Sequence, residues 1–126
     1  MKYFVIILSV LIIAAAVGEK YTTKYDNVDI DSILNSERLI KNYMDCLMER
    51  GPCTPEGKEL RDNLPDALKT ECHKCSDKQK EVSKKVLRHL VKNKRKEFDE
   101  LTGKYDPEGV YKNKYKEDLA KEGIIV

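Results

Sequence analysis

The chain of 126 residues has no tryptophan, two phenylalanines and two histidines. With only His73 and His89 available, imidazole-based acid–base chemistry or a histidine-rich metal centre has little to draw on. A strong charge excess is missing too: 24 Lys+Arg face 22 Asp+Glu, a net of +2. Polyanion binding needs a clear cationic surplus, so nucleic acid is not an expected partner. The densest basic stretch, KNKRK at residues 92–96, reads as the solvated face of a helix. Strict apolar–polar alternation is absent, which removes strands from the expected elements. There is no G-x-S-x-G, no P-loop and no G-x-G-x-x-G, so the signatures of acyl transfer, phosphate cradling and dinucleotide binding are all lacking. Carboxylates instead interleave with lysines, as in KEVSKK and KYKEDLAKE, the spacing of exposed helical ion pairs worth a few tenths of a kcal/mol each. No residues support an enzyme, and no cofactor or metal is expected. The N-x-S/T acceptor of N-linked glycosylation does not occur.

One long apolar run is present, at the start. Lys2 precedes YFVIILSVLIIAAAV, residues 3–17, and small residues stand at Ala16 and Gly18 before the chain turns polar. Positive start, apolar stretch and small-residue site read as a secretory signal peptide over residues 1–18, with cleavage after Gly18. A spanning helix needs about 20 apolar residues, and this run is shorter. Residues 19–126 then form one domain, extracellular and free of the membrane after cleavage.

Within that domain the punctuation is helical. TPEG (Thr54 to Gly57) and DPEG (Asp106 to Gly109) each place a capping side chain before a proline suited to the first helical position. SDKQ, residues 76–79, fits a capping box between Ser76 and Gln79. Gly51, Gly103 and Gly123 read as helix stops, and Pro65 as a bend or an end. Apolar residues recur at helical spacing: Ile30, Ile33 and Leu34; Leu39, Tyr43 and Leu47, with Ile40, Met44 and Met48 beside them; Leu60, Leu64, Ala67 and Leu68; Val82, Val86, Leu87, Leu90 and Val91; Phe98, Leu101 and Tyr105; Tyr111, Tyr115 and Leu119. The fold class is all-α, with about six helices. Stripes as broad as those through Tyr43 and Val86 must be covered from more than one side. They suit an ordinary core or an adaptable apolar pocket lined by Leu, Ile, Val, Met and Tyr, and periodicity does not separate the two. His89 is flanked by the stripe of its helix and reads as a helix-surface residue.

The four cysteines, Cys46, Cys53, Cys72 and Cys75, follow C-x6-C-x18-C-x2-C. In a small exported chain an even count implies disulfides. Three pairings are open, and local geometry leans toward neighbours, because each near pair could close a small ring at a helix end. Such rings stabilise by roughly 2 to 2.5 kcal/mol each on the chain-entropy model. CHKC could also be a redox dithiol or half of a zinc site. The first is disfavoured because no strand precedes it, the second because export exposes thiols to oxidation.

The cysteine spacing, EKYTTKYDNVDIDSIL, CLMERGPCTPEGKELRDNLPDAL and ELTGKYDPEGVYKNKY together resemble the insect chemosensory proteins, the OS-D-like family, over Glu19 to Val126. That resemblance implies a six-helix secreted domain around a hydrophobic channel. It also implies the pairs Cys46–Cys53 and Cys72–Cys75, and a role as carrier of apolar compounds such as long-chain alcohols, acids and esters. Members are tied to sensory organs, to development or to immunity. The implied channel walls are Tyr25, Ile30 and Leu34; Leu39, Tyr43 and Leu47; Leu60 and Leu64; Val86, Leu87 and Leu90; and Phe98 with Tyr105. Phe98 stands where many relatives carry tryptophan, Tyr111 holds a common aromatic position, and Pro65 lies in a helix that relatives often keep without proline. The expected function is a monomeric carrier of a small hydrophobic ligand, with the hydroxyl of Tyr25 or Tyr43 meeting the polar head. The alternative is a secreted developmental or immune protein that acts through its charged surface on a protein partner.

Overall fold

Six helices succeed one another in the computed structural model, which describes residues 20–126. The segment read as a signal peptide lies outside those residues. The helices are α1 (Ile30–Leu34), α2 (Glu37–Leu47), α3 (Pro55–Thr70), α4 (Asp77–Asn93), α5 (Arg95–Tyr105) and α6 (Val110–Lys121). Among the described residues there is no strand.

Each early helix starts where a side chain can satisfy its free amides. Asp29 accepts from the Ser32 N–H before α1, and Ser36 from that of Leu39 before α2. Thr54 accepts from the Gly57 N–H, with Pro55 the first residue of α3. Ser76 and Gln79 exchange both bonds of a capping box at the start of α4. DPEG behaves differently. The Asp106 carboxylate reaches over the turn and accepts from the N–H groups of Tyr111 and Lys112 at 3.1 and 2.8 Å. Pro107 therefore belongs to the turn, and Gly109, at φ 70°, is the residue at the cap.

The helix stops also differ from the sequence reading. Gly103 lies inside α5, which runs on to Tyr105. At the end of α2 the left-handed residue is Glu49, at φ 59°, ahead of Gly51. Gly123 does close α6, at φ 78°. Pro65 does not end α3, which continues to Thr70. Leu64, Ala67 and Leu68, half-buried on either side of it, give that stretch packing that offsets the missing backbone bond. KNKRK is a junction and not one helical face: Asn93 ends α4, Lys94 links and Arg95 opens α5. Lys94 pairs with Glu37 and Arg95 with Asp99, which ties both cations to carboxylates. His89 is half-buried, not a surface residue. Its Nδ1 lies 3.3 Å from Asn93 Nδ2, while its Nε2 is buried without a partner among the described residues.

α2 packs on α3, α4 on α5, and α1 touches both α2 and α4. The core is built mainly on α2, where Ile40, Met44, Cys46 and Leu47 are buried, with Leu90 of α4 and Phe98 of α5. Gly57 allows α2 and α3 to approach closely: a Cβ there would stand 3.1 Å from Thr54 Oγ1 and 3.3 Å from Cys46 Sγ. The tail beyond Gly123 folds back and leaves Ile124 only 1% exposed, a burial worth roughly 1.5–3 kcal/mol. The Arg88 guanidinium donates to the Glu122 carbonyl at 3.1 Å, and Lys84 pairs with the Glu122 carboxylate.

Disulfides join Cys46 to Cys53 and Cys72 to Cys75. The second closes a turn in which Glu71 and Cys72 are both left-handed, at φ 59° and 60°. A strap ahead of α1, residues 20–29, which turns over residues 24–27, is fastened to this turn. Tyr21 N–H donates to the Lys74 carbonyl at 3.0 Å, and the Tyr21 hydroxyl to Asp66. Gln79 Nε2 donates to the Thr22 carbonyl and to Asp26, and the Ser76 hydroxyl also bonds Asp26.

Candidate functional site

A cavity of about 210 Å³ lies between the strap and the first five helices. The strap contributes Tyr25 and Val28, and α1 contributes Ile30, Ile33 and Leu34. From α2 come Ile40, Tyr43, Met44 and Leu47; from α3, Glu56 and Leu60; from α4, Val86 and Leu90; and from α5, Leu101. Leu60 is 46% exposed and marks where the cavity meets the surface. A second hollow, about 290 Å³, lies over the Cys46–Cys53 ring and is bounded by Asn42, Asp45, Pro52 and Thr54. Its walls hold Asn42, Asp45 and Thr54 and no Leu, Ile, Val or Met, so the cavity between the helices is the better apolar site.

Of the residues expected as channel walls, Tyr25, Ile30, Leu34, Tyr43, Leu47, Leu60, Val86 and Leu90 line this cavity. Leu39, Leu64, Leu87, Phe98 and Tyr105 do not. Leu39, Leu64 and Leu87 are half-buried elsewhere on their helices, because periodicity gives the direction a side chain takes and not how far along the helix the cavity extends. Phe98 is buried in the core with the Arg95 guanidinium 5.1 Å from its ring centroid. Tyr105 uses its hydroxyl to donate to the Leu47 carbonyl at 2.6 Å, satisfying the end of α2.

Several lining residues were absent from the expected set. Ile33, Ile40, Met44 and Leu101 lay in recognised stripes and differ from the chosen positions only by depth. Val28 follows the KYDN segment and has no periodic partner. Glu56 carried no signal at all, since an acid in the first turn of a helix reads as a complement to the helix dipole. In the structure it faces the cavity. The Tyr43 hydroxyl donates to Glu56 Oε1 at 2.9 Å. Burial pushes the Tyr43 hydroxyl above its ordinary pKa, and the neighbouring carboxylate pushes it further. Glu56 is held below the usual carboxylate range, first by its own backbone N–H and then by the Tyr43 and Thr54 hydroxyls, against the desolvation of its half-buried place. The cavity is thus an apolar volume with one ionised, hydrogen-bonded acid in its wall.

The family model of the insect pheromone-binding family, A10/OS-D, matches residues 21–113. The chain belongs to the A10/OS-D family. Ejaculatory bulb-specific protein 3 of Drosophila melanogaster is 48% identical over 126 residues, the full length of both chains. Allergen Tha p 1 of Thaumetopoea pityocampa is 52% identical over 102 residues, 81% of each chain. Among solved structures, a chemosensory protein in complex with bromo-dodecanol superposes with a TM-score of 0.74 at 47% identity, covering 79% of this chain and 99% of that one. The antennal chemosensory protein A6 of the moth Mamestra brassicae gives a TM-score of 0.66 at 42% identity, covering 79% and 97%. The helical fold is shared with these chemosensory proteins, and the cavity lies between its helices.

Proposed function

We propose that this A10/OS-D protein is a secreted, monomeric, non-catalytic carrier that buries the chain of a small hydrophobic ligand in the cavity between its helices. The observation that carries this reading is the composition of the wall, in which aliphatic and methionine side chains from five helices converge on one space. The bromo-dodecanol held by a structural relative is a ligand of the kind such a wall suits. At about 210 Å³ the volume is below the roughly 300–1,000 Å³ of pockets for drug-sized ligands. The ligand is therefore slender, or Met44 and its neighbours shift to admit it. Secretion rests on residues 1–18 together with two closed disulfides, which oxidising compartments favour. Among the described residues no helix is long and apolar enough to cross a membrane.

The test is displacement of a fluorescent apolar probe from the disulfide-bonded protein by a series of straight-chain alcohols. Each buried methylene contributes about 0.8 kcal/mol, roughly fourfold in affinity before ordering costs are subtracted. Affinity should therefore climb with chain length and level off where the cavity ends. A folded, helical protein that takes up no probe would mean a filled core and would end the proposal. The alternative, a secreted developmental or immune protein acting through its charged surface on a protein partner, is not favoured, since cations such as Lys85, Lys94 and Lys58 are already paired with carboxylates of the same chain.

A further inference from the structure

We infer that Glu56 makes the cavity selective for the ligand's head group: it accepts heads that donate a hydrogen bond, alcohols and amines, and rejects carboxylates on the same alkyl chain. The inference rests on the carrier reading above and names the ligand class that this site takes.

Glu56 is the one charged side chain among those lining the cavity. Its Oε1 already accepts from the Tyr43 hydroxyl. That hydroxyl spends its proton on Glu56, and the Thr54 hydroxyl beside them spends its own on the same Tyr43 and Glu56 oxygens, so the lone pairs that remain free there are acceptors only. The polar corner formed by α2 and α3 therefore presents acceptors and asks the ligand for a donor. An alkanol supplies one O–H, and an alkylammonium supplies several N–H groups together with the opposite charge. An alkanoate supplies neither and brings a second negative charge into a wall of low polarity, where like charges repel more strongly than in water. Among the described residues no lysine or arginine pairs with Glu56 to offset that repulsion. Tyr25, on the strap, makes no hydrogen bond through its hydroxyl among the described residues, and it can donate or accept. It does not discriminate between heads, so the selection falls to Glu56.

The experiment compares dodecanol, dodecylammonium and dodecanoate as competitors of the apolar probe, at neutral pH and below their micelle concentrations, on the folded protein and on Glu56→Gln. In the unaltered protein dodecanoate should bind at least tenfold more weakly than dodecanol, with dodecylammonium equal to or tighter than the alcohol. In Glu56→Gln, which keeps an acceptor for Tyr43 and removes the charge, dodecanol should weaken as it loses a charged acceptor, and the penalty of dodecanoate relative to dodecanol should shrink to about threefold or less. Probe uptake with equal affinities for all three in the unaltered protein overturns the inference and leaves the carrier reading standing. A penalty that persists unchanged in a folded Glu56→Gln overturns it as well. The first comparison needs no variant, so it decides even if Glu56→Gln does not fold. Failure of the unaltered protein to take up the probe overturns the carrier reading and this inference with it.

Discussion

Tyr105 donates its hydroxyl to the Leu47 carbonyl, Tyr115 to that of Leu68, and Tyr43 to Glu56. All three follow apolar stripes in the sequence, yet their hydroxyls do different jobs. Two secure the last carbonyls of α2 and α3, groups that a helix cannot satisfy from within itself. The third belongs to the cavity. Tyr105→Phe should therefore lower stability by about 1 kcal/mol, because a half-buried carbonyl loses its donor, while probe affinity stays within about twofold. Thermal unfolding should show a drop of roughly 4–8 °C for a domain of this size. A large loss of probe binding without a stability change would return Tyr105 to the ligand site. Glu56 shows the opposite case, since nothing in TPEG distinguishes a carboxylate that complements a helix dipole from one that faces a cavity. Only the approach of α2, with Tyr43, decides it.

Among the elements, the strap depends most on contacts distant in sequence. Its backbone is held by Lys74 and Gln79, more than fifty residues away, and it delivers Tyr25 and Val28 to the cavity wall. Gln79 serves both the start of α4 and the strap. Its Oε1 accepts from the Ser76 N–H, and its Nε2 donates to Thr22 and Asp26. Gln79→Ala should cost about 1–2 kcal/mol, a lost cap together with lost hydrogen bonds. It should also speed amide exchange at Tyr21 and weaken probe binding through displacement of Tyr25. Hydrogen exchange read residue by residue checks this, and unchanged protection at Tyr21 would mean that the strap is held without Gln79. The sequence revealed the capping box because its signature is local. The link to the strap was not legible, because no spacing rule connects residues 22 and 79.

For the molecule as a whole, charge sets the response to pH. Asp29, Asp45, Asp62 and Asp66 are each held below the usual aspartate range, foremost by hydrogen bonds from Ser32, Lys41, Lys58 and Tyr21 respectively. A carboxylate whose pKa is lower in the folded state contributes stability that is fully present above its unfolded value and disappears as pH falls through the folded one. The tyrosines run the other way. Tyr21, Tyr43 and Tyr105 are pushed up, foremost by burial, so their share is present below the ordinary tyrosine value and is lost as pH rises beyond it. The melting temperature should be broad and flat through neutrality, then fall below about pH 4 and above about pH 10. Circular dichroism melts across that range test it, and a flat profile down to pH 2 would show that these exposed pairs add nothing.

Helical class, the caps at Thr54 and Ser76, and the stripes on α2 and α4 follow from the sequence alone, because each depends on residues within one or two turns of one another. The chance that neighbouring cysteines would pair was visible for the same reason. Tertiary structure decided the rest. It carried α3 past Pro65 and α5 past Gly103, since packing over several turns outweighs one unfavourable residue. It moved the start of α6 beyond Pro107 by letting Asp106 reach across a turn. It buried Ile124, folded the strap onto the Cys72–Cys75 turn, and placed Leu64, Leu87 and Phe98 off the cavity while drawing in Met44, Leu101 and Glu56. A cavity is the space left where helices distant in sequence fail to touch, and its extent is a property of their arrangement, which no single stretch of the chain encodes.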